Sequence, residues 1–256
     1  MSEYFKHYSI DKWIYKSTSS STNEDMVETV SKNISKTNIV LYTYKQTAGK
    51  GQIGRKWFSG ANNNLTFSIQ FGLNSILAHN QFNLNMICSL ALYEVMEQLS
   101  PLTAGGLSIK WPNDLYYLDR KLAGILIQNT IQGNKIVRMV LGVGLNVNES
   151  NFPKELPNPI SLSQITQSEY NLQQLFTRIM RSFSHYLEKL DVLSQRELLH
   201  IYHSRMYLRN REKDYIITET GEKIKAFIKG VNENGQLLLE NEKGVRKFNF
   251  REIRYC

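Results

Sequence analysis

A chain of 256 residues, 41% hydrophobic and 21% charged, can bury a real core, and its composition excludes a disordered polymer or a one-sign polyelectrolyte. No run approaches the roughly 18 consecutive apolar residues of a membrane span, and the start MSEYFKHYSIDKW lacks an apolar signal segment, so a cytoplasmic protein without membrane attachment is expected. The net charge of +8 favours an anionic partner, whether nucleotide, nucleic acid or acidic protein, while Cys88 and Cys256 are too few for a disulfide framework or a cysteine metal site.

After an aromatic opening segment, SSSTNEDMVETVSKNI reads as a helix beginning near Asn23. Thr22 can cap it, Asp25 stands three residues on, and Met26, Val27, Val30 and Ile34 share one face. Residues 39–44 (IVLYTY) form a short run of buried-strand type, followed by a glycine-rich polar loop to about Asn64. Positive charge concentrates there, because residues 45–56 hold Lys45, Lys50, Arg55 and Lys56 and no carboxylate. LTFSIQF then alternates Leu65, Phe67, Ile69 and Phe71 with Thr66, Ser68 and Gln70, which predicts a strand with one wet face.

Residues 82–99 place Leu84, Ile87, Ala91 and Val95 at helical spacing, and Pro101 follows the stop. Three strand-like runs follow at residues 107–111, 121–131 and 135–148; Gly133 turns between the last two, which should pair antiparallel. A loop with Pro153, Pro157 and Pro159 leads to two helices, near residues 172–190 and 194–206. The first carries Leu172, Leu175, Phe176, Ile179, Phe183 and Leu187 on one stripe. After LRNREKD the texture changes to short β runs separated by Thr220-Gly221, Asn234-Gly235 and Lys243-Gly244, the pattern of a small β-barrel beginning near Arg209. The expected architecture is α+β: a mixed β-sheet with flanking helices over residues 1–208, then a C-terminal barrel over residues 209–256.

Gly49-Lys50-Gly51-Gln52-Ile53-Gly54 matches the dinucleotide pattern G-x-G-x-x-G but fails on context. That fingerprint opens a helix, whereas RKWFSGANNN has no apolar stripe, and Arg55-Lys56-Trp57 does not complete a Walker loop. Glycines let a backbone approach a ligand and present N–H groups to an anion, and Lys50, Arg55 and Lys56 add charge, so a carboxylate or phosphate is the natural guest. Taken alone, the loop reads equally as a flexible hairpin. Lys110-Trp111-Pro112-Asn113-Asp114 ends one strand and Lys121 begins the next, bringing two lysines to neighbouring strand ends. In isolation Lys121 is an ordinary solvated edge charge. GVGLNVN (residues 142–148) places two glycines in a run suited to a buried strand, where glycine marks close backbone approach, and an amide such as Asn146 can read an adenine edge. His200-x-x-His203 lacks a third ligand, so no zinc site is expected and any metal site stays unassigned.

Ser21-Thr22-Asn23, QTAGKGQIGRKW (46–57), KWPNDLYYLDRKLAGILIQ (110–128) and GVGLNVN together resemble the biotin–protein ligase family, in its order and at its spacing. The resemblance implies a class II synthetase-like catalytic domain closed by an SH3-like domain. It implies an enzyme that joins biotin to AMP from ATP, releases pyrophosphate and transfers biotin to a lysine of a biotin carboxyl carrier protein. Mg2+ would accompany ATP, held largely by phosphate oxygens and water. Ser21, Thr22, Asn23 and Gln46 would hold biotin's ureido ring; Gly49, Lys50, Gly51 and Gln52 would order over biotin and its adenylate, with Gly124 beside the pocket. Lys121 would contact the reacting carboxylate and phosphate, with Lys50 as a second catalytic cation. Trp57 would stack on adenine, Asn146 would read it, and Arg55, Asn113 and Asp114 would supply nucleotide-side contacts. Plainer roles, a helix cap for Thr22 and core packing for Trp57, remain open.

This sequence departs from the family at Lys50 and Gln52, where many members carry arginines. The nearest alternative is a lipoate ligase or octanoyltransferase, against which the segment 46–57 and KWPND speak; an alternative of another class is a basic nucleic-acid binder. About 20 residues precede Ser21, too few for the winged helix-turn-helix of bifunctional members, so a monofunctional enzyme without specific DNA binding is expected. Homodimerisation is left open.

Overall fold

The computed structural model describes residues 8–31, 37–52 and 54–256. Ile34, expected on the first helix, and Ile53 of the glycine loop lie outside the described residues.

The alternating run LTFSIQF lies within a longer strand, β3 (Leu65–Leu77), which pairs with β2 (Ile39–Thr43) on one side and β7 (Lys135–Leu145) on the other. Its apolar residues share one core with helices α2 (Gln81–Glu97) and α5 (Leu172–Glu188), where the Phe67 ring lies tilted 4.9 Å from Phe176 and 6.4 Å from Phe183. Truncating so enclosed a ring would cost about 3–5 kcal/mol. The expected wet face is dry. Thr66, Ser68 and Gln70 are all buried, because α1 (Thr22–Ser31) covers them, and each finds a hydrogen bond. Ser68 donates to Thr22 Oγ1 (3.0 Å), Thr66 to the Thr43 carbonyl (3.0 Å) and Gln70 Nε2 to the Thr37 carbonyl (2.8 Å). Alternation marked a strand with two unlike faces; the polar one is a buried network.

The full sheet runs β1 (Lys12–Tyr15), β2, β3, β7, β6 (Arg120–Gln132), β5 (Asp114–Tyr117) and β4 (Leu107–Lys110). Among the described residues only β1 and β2 pair in parallel, with α1 between them in the chain; the remaining strand pairs are antiparallel, so the sheet is mixed. The expected β6–β7 hairpin forms, with Gly133 at its turn and at positive φ. Strand β5 was not expected from the sequence: between the strand end at KWPND and the strand start at Lys121, residues 114–117 fold back on β4. Helix α1 begins at Thr22, one residue early, and the Thr22 hydroxyl accepts from Ser68; the first carbonyl to accept a helical bond is that of Ser21. Met26 and Val30 pack with Leu41 and Val140, but Val27 is exposed.

Two short helices escaped the sequence pattern. Pro101 opens α3 (Pro101–Ala104), and α4 (Leu162–Thr166) follows the proline loop with Ser161 and Gln164 closing a capping box. Helix α6 (Gln195–Ser204) uses the same device, with Ser194 and Glu197.

The second sheet has the order β11 (Gly244–Phe248), β10 (Leu237–Asn241), β9 (Lys223–Val231), β8 (Glu212–Ile217) and β12 (Ile253–Tyr255), all antiparallel, as an SH3-like unit requires. Gly221, Gly235 and Gly244 occupy its turns with φ of 72°, 80° and 110°, which explains the spacing of the three turn dipeptides. This sheet docks directly on the first. Trp111 Nε1 donates to the Gly235 carbonyl (2.8 Å), Val231 N–H donates to His203 Nε2 (2.9 Å), and one hydrophobic core runs from Phe67 through Tyr202 to Ile228. Among the described residues no helix is long and apolar enough to cross a membrane.

Candidate active site

A cavity of about 490 Å³ opens between the glycine loop, the ends of β4 to β7 and the last strand of the small sheet. Among the described residues, seven cationic side chains line it against a single carboxylate, Asp114. The folded site therefore keeps the anion preference that composition suggested.

The glycine loop is a small hairpin, not a helix opening. Trp57 N–H donates to the Gly49 carbonyl (2.8 Å), Gly51 N–H to the Arg55 carbonyl (2.9 Å) and Arg55 N–H to the Gln52 carbonyl (2.9 Å). At Gly49 a Cβ would collide with the Gln46 amide and the Trp57 carbonyl, so this glycine permits the loop to close and stands outside the cavity lining. Lys50, Gly51, Gln52 and Arg55 do line the cavity, and Lys50 forms an ion pair with Glu24 in the first turn of α1.

The hairpin delivers Trp57 to the cavity floor. Its indole covers Gly144, where any Cβ would overlap the ring, and reaches Gly124, whose Cβ would stand 3.2 Å from Trp57 Cζ3. Gly144 thus serves the close approach that a glycine in a buried strand marks, and Gly124 stands beside the cavity as the family resemblance implied. The indole Nε1 is buried without a hydrogen-bond partner among the described residues.

A neutral polar end lies beside it. Ser21, Thr22, Asn23 and Gln46 all line the cavity, drawn together because residues 19–22 run alongside residues 45–48: Thr47 N–H donates to the Ser19 carbonyl and Ala48 N–H to that of Ser20. Gln46 Oε1 accepts from Thr22 N–H (2.9 Å). Asn23 lies over Gly142, and its Nδ2 is buried without a partner among the described residues. A buried donor left so is costly unless something else accepts from it.

Lys121 enters from β6 with its ammonium 2.8 Å from Asp114 Oδ1 and 5.6 Å from the Trp57 ring centroid. It is a half-buried, oriented charge instead of a free edge lysine. Asn113 lines the cavity but spends its amide on the Ile125 carbonyl, tying β5's start to β6. Asn146 lies outside the lining; its Nδ2 donates to the Ile160 carbonyl (3.0 Å) and reaches that of Lys121 (3.4 Å). In this geometry Asn146 braces the strand that carries Lys121.

Sequence reasoning left Lys110 without a role and took nothing from the small sheet. Lys110 lines the cavity, and so do Thr218, Phe250, Arg251, Ile253, Arg254 and Tyr255. Burial pushes the Lys110 ammonium below the ordinary lysine value; Asp114 works against this, Lys121 and Arg55 with it. The KWPND segment offered a signal for Lys110. The tail FREIRYC is too short and too common in composition to have offered one. Among the described residues no three His, Cys, Asp or Glu side chains gather as a metal site, and His203 is committed to the Val231 backbone.

Comparison with known proteins follows the same lines. The chain is 31% identical over 210 residues to the bifunctional ligase/repressor BirA of Salmonella typhimurium, a match covering 81% of this chain and 63% of that protein, so it spans less than two thirds of that relative's length. It is 26% identical over 206 residues to a biotin–[acetyl-CoA-carboxylase] ligase of Paracoccus denitrificans, 78% of this chain and 83% of that one. The biotin protein ligase of Aquifex aeolicus, solved in complex with biotin and ATP, superposes with a TM-score of 0.78 at 26% identity, over 96% of this chain and all of that one. Residues 15–146 match the model of the Biotin/lipoate A/B protein ligase family, a stretch that holds the glycine loop, Lys121 and the strand glycines. That match takes in more than half of the residues, and the chain belongs to this family.

Proposed function

We propose that this protein is an ATP-dependent biotin–protein ligase, which forms biotinyl-5'-AMP and pyrophosphate and then passes biotin to a lysine of a biotin carboxyl carrier protein. One observation carries the choice of acid: the closed end of the cavity presents neutral donors and acceptors, with Asn23 Nδ2 buried and unpartnered. A ureido carbonyl satisfies that donor. The dithiolane of lipoate would leave it unpaired, at a cost of about 1–3 kcal/mol, which argues against a lipoate-directed enzyme. The biotin and ATP held by the Aquifex aeolicus enzyme and the activity named for the Paracoccus denitrificans ligase support the same reading.

With the ureido ring held by Ser21, Thr22, Asn23 and Gln46, the acid's carboxylate points toward the cationic middle of the cavity. Lys121, fixed by Asp114, stands where negative charge spreads over the α-phosphoryl oxygens as the carboxylate attacks. Trp57 provides the flat face for adenine, and Lys50 and Arg55 close over the adenylate. Asp114 is the sole carboxylate of the lining among the described residues and is already paired, so Mg2+ would arrive with ATP and be held by phosphate oxygens and water. The resulting mixed anhydride is activated toward an amine and needs little general-base help. Residues 1–208 act as the catalytic unit and residues 209–256 as the unit that closes the cavity's rim, in a cytoplasmic enzyme whose protein substrate is the carrier.

The test is exchange of labelled pyrophosphate into ATP. Biotin should drive it and lipoate should not; exchange driven by lipoate alone would overturn the reading.

A further inference from the structure

Lys110 is held by rings instead of carboxylates. Its ammonium stands 4.4 Å from the ring centroid of Tyr255, 4.6 Å from Tyr116 and 5.6 Å from Tyr207, and it donates to the Tyr116 hydroxyl at 3.2 Å. No carboxylate among the described residues is in ion-pair contact with it. The rings come from β5, from the link after α6 and from β12, so three distant parts of the chain converge on one cation. The contrast with Lys121 is informative. Asp114 neutralises much of the Lys121 field, whereas aromatic quadrupoles fix an ammonium in place and leave its full charge for a ligand. Lys110 lines the same cavity on the side where the small sheet contributes Arg251 and Arg254, the latter adjacent to Tyr255 on β12.

We propose that Lys110 is a catalytic residue that binds the departing pyrophosphate, and that Tyr255 is a positioning residue that holds it there from the small sheet. The inference rests on the adenylation reading above. In that step a carboxylate oxygen of the acid forms a bond to the α-phosphorus, and the bond from that phosphorus to the α,β-bridging oxygen breaks. The bridging oxygen keeps the electron pair, and no proton need move. Charge therefore accumulates on the leaving group, at the end of the polyphosphate away from Trp57, and a caged but unneutralised ammonium meets it. Tyr255 acts through its ring: its hydroxyl is buried with no hydrogen-bond partner among the described residues, so nothing depends on the oxygen.

The full-length chain tests this through its two half-reactions. Lys110→Met keeps the hydrocarbon stem and should lower the rate of biotin adenylation roughly 100-fold and raise the KM for pyrophosphate in the exchange direction about tenfold. Transfer from supplied biotinyl-5'-adenylate to a biotin carboxyl carrier domain should stay within roughly twofold of the parent. Tyr255→Phe should behave as the parent, while Tyr255→Leu should reproduce the Lys110→Met pattern in weaker form. A normal pyrophosphate KM in Lys110→Met, or equal loss in both half-reactions, would overturn the assignment of Lys110. Tyr255→Phe as damaging as Tyr255→Leu would overturn that of Tyr255. If the parent itself shows no biotin-dependent exchange, the functional reading fails before any variant is compared.

Discussion

The indole of Trp57 lies on the bare backbone of Gly144, closer than any side chain at that position would allow. A methyl group there must push the indole off the floor of the cavity, because the strand under it is paired on both sides, to β3 and β6. Gly144→Ala should therefore weaken ATP at least tenfold in pyrophosphate exchange while leaving the circular dichroism spectrum unchanged, a loss of about 1.4 kcal/mol in binding. The two residues act as one unit, so Trp57→Ala and Gly144→Ala combined should cost little more than either alone. A double-mutant cycle with additive losses would separate them.

On the adenylation reading proposed above, Lys121 is the cation that would meet the reacting carboxylate and phosphate, and its 2.8 Å contact with Asp114 fixes its position. Lys121→Ala should reduce biotin adenylation roughly 100 to 1,000-fold, the usual cost of removing one oriented charge-stabilising group. The circular dichroism spectrum should stay unchanged, since the pair lies at the cavity wall and neither residue belongs to the hydrophobic core. Near-normal pyrophosphate release by the variant would defeat the assignment.

How far the sequence revealed this site depends on which signal each residue carried. The α+β architecture, the β6–β7 hairpin and the glycine turns of the small sheet were all legible, because periodicity and turn chemistry are local. Strand β5 was not, since DLYY is four residues long and its partner β4 is equally short. The dry polar face of β3 was hidden for another reason: alternation reports that two faces differ and does not say that α1 will cover the polar one. Asn146 illustrates a limit of motif reasoning. The amide type fitted base recognition, yet its bonds to the Ile160 and Lys121 carbonyls depend on the loop after β7 returning to β6, which no spacing announces. The tyrosine cage of Lys110 is of the same kind, assembled from residues up to 145 positions apart.

The contact between His203 and Val231 makes the docking of the small sheet sensitive to pH. His203 Nε2 lies 2.9 Å from Val231 N and 3.0 Å from the Val231 carbonyl, and to accept from the Val231 N–H it must carry no proton. Burial lowers the His203 pKa below its ordinary 6.5; the Val231 backbone opposes this, and Arg209 and His200 add to the lowering. A depressed histidine pKa means that the unfolded chain takes up the proton first, so the stabilisation is complete above pH 6.5 and is lost as pH falls from there toward the folded value. Chemical denaturation should show stability declining between pH 7 and 5. His203→Gln, whose amide oxygen can still accept from Val231, should flatten that decline, and an unchanged slope would count against His203 as its source.

On the adenylation reading proposed above, Lys50 and Gln52 of the glycine loop would govern retention of the adenylate. Lys50 has one compact ammonium in place of a guanidinium fork, and it is already shared with Glu24 of α1; Gln52 brings no charge at all. A guanidinium grips a phosphate or carboxylate through two parallel hydrogen bonds, which a lysine cannot reproduce. The Lys50–Glu24 pair is more than half exposed on both sides, so it holds the loop weakly and competes with the ligand for the same cation. Release of biotinyl-5'-AMP should therefore be faster here than in a Lys50→Arg, Gln52→Arg double variant. Hydroxylamine trapping of free adenylate measures it: the double variant should shed the intermediate several-fold more slowly, on the order of the 1 kcal/mol that one added charge-assisted bond contributes. Equal trapping from both proteins would show that the loop's basicity does not govern retention.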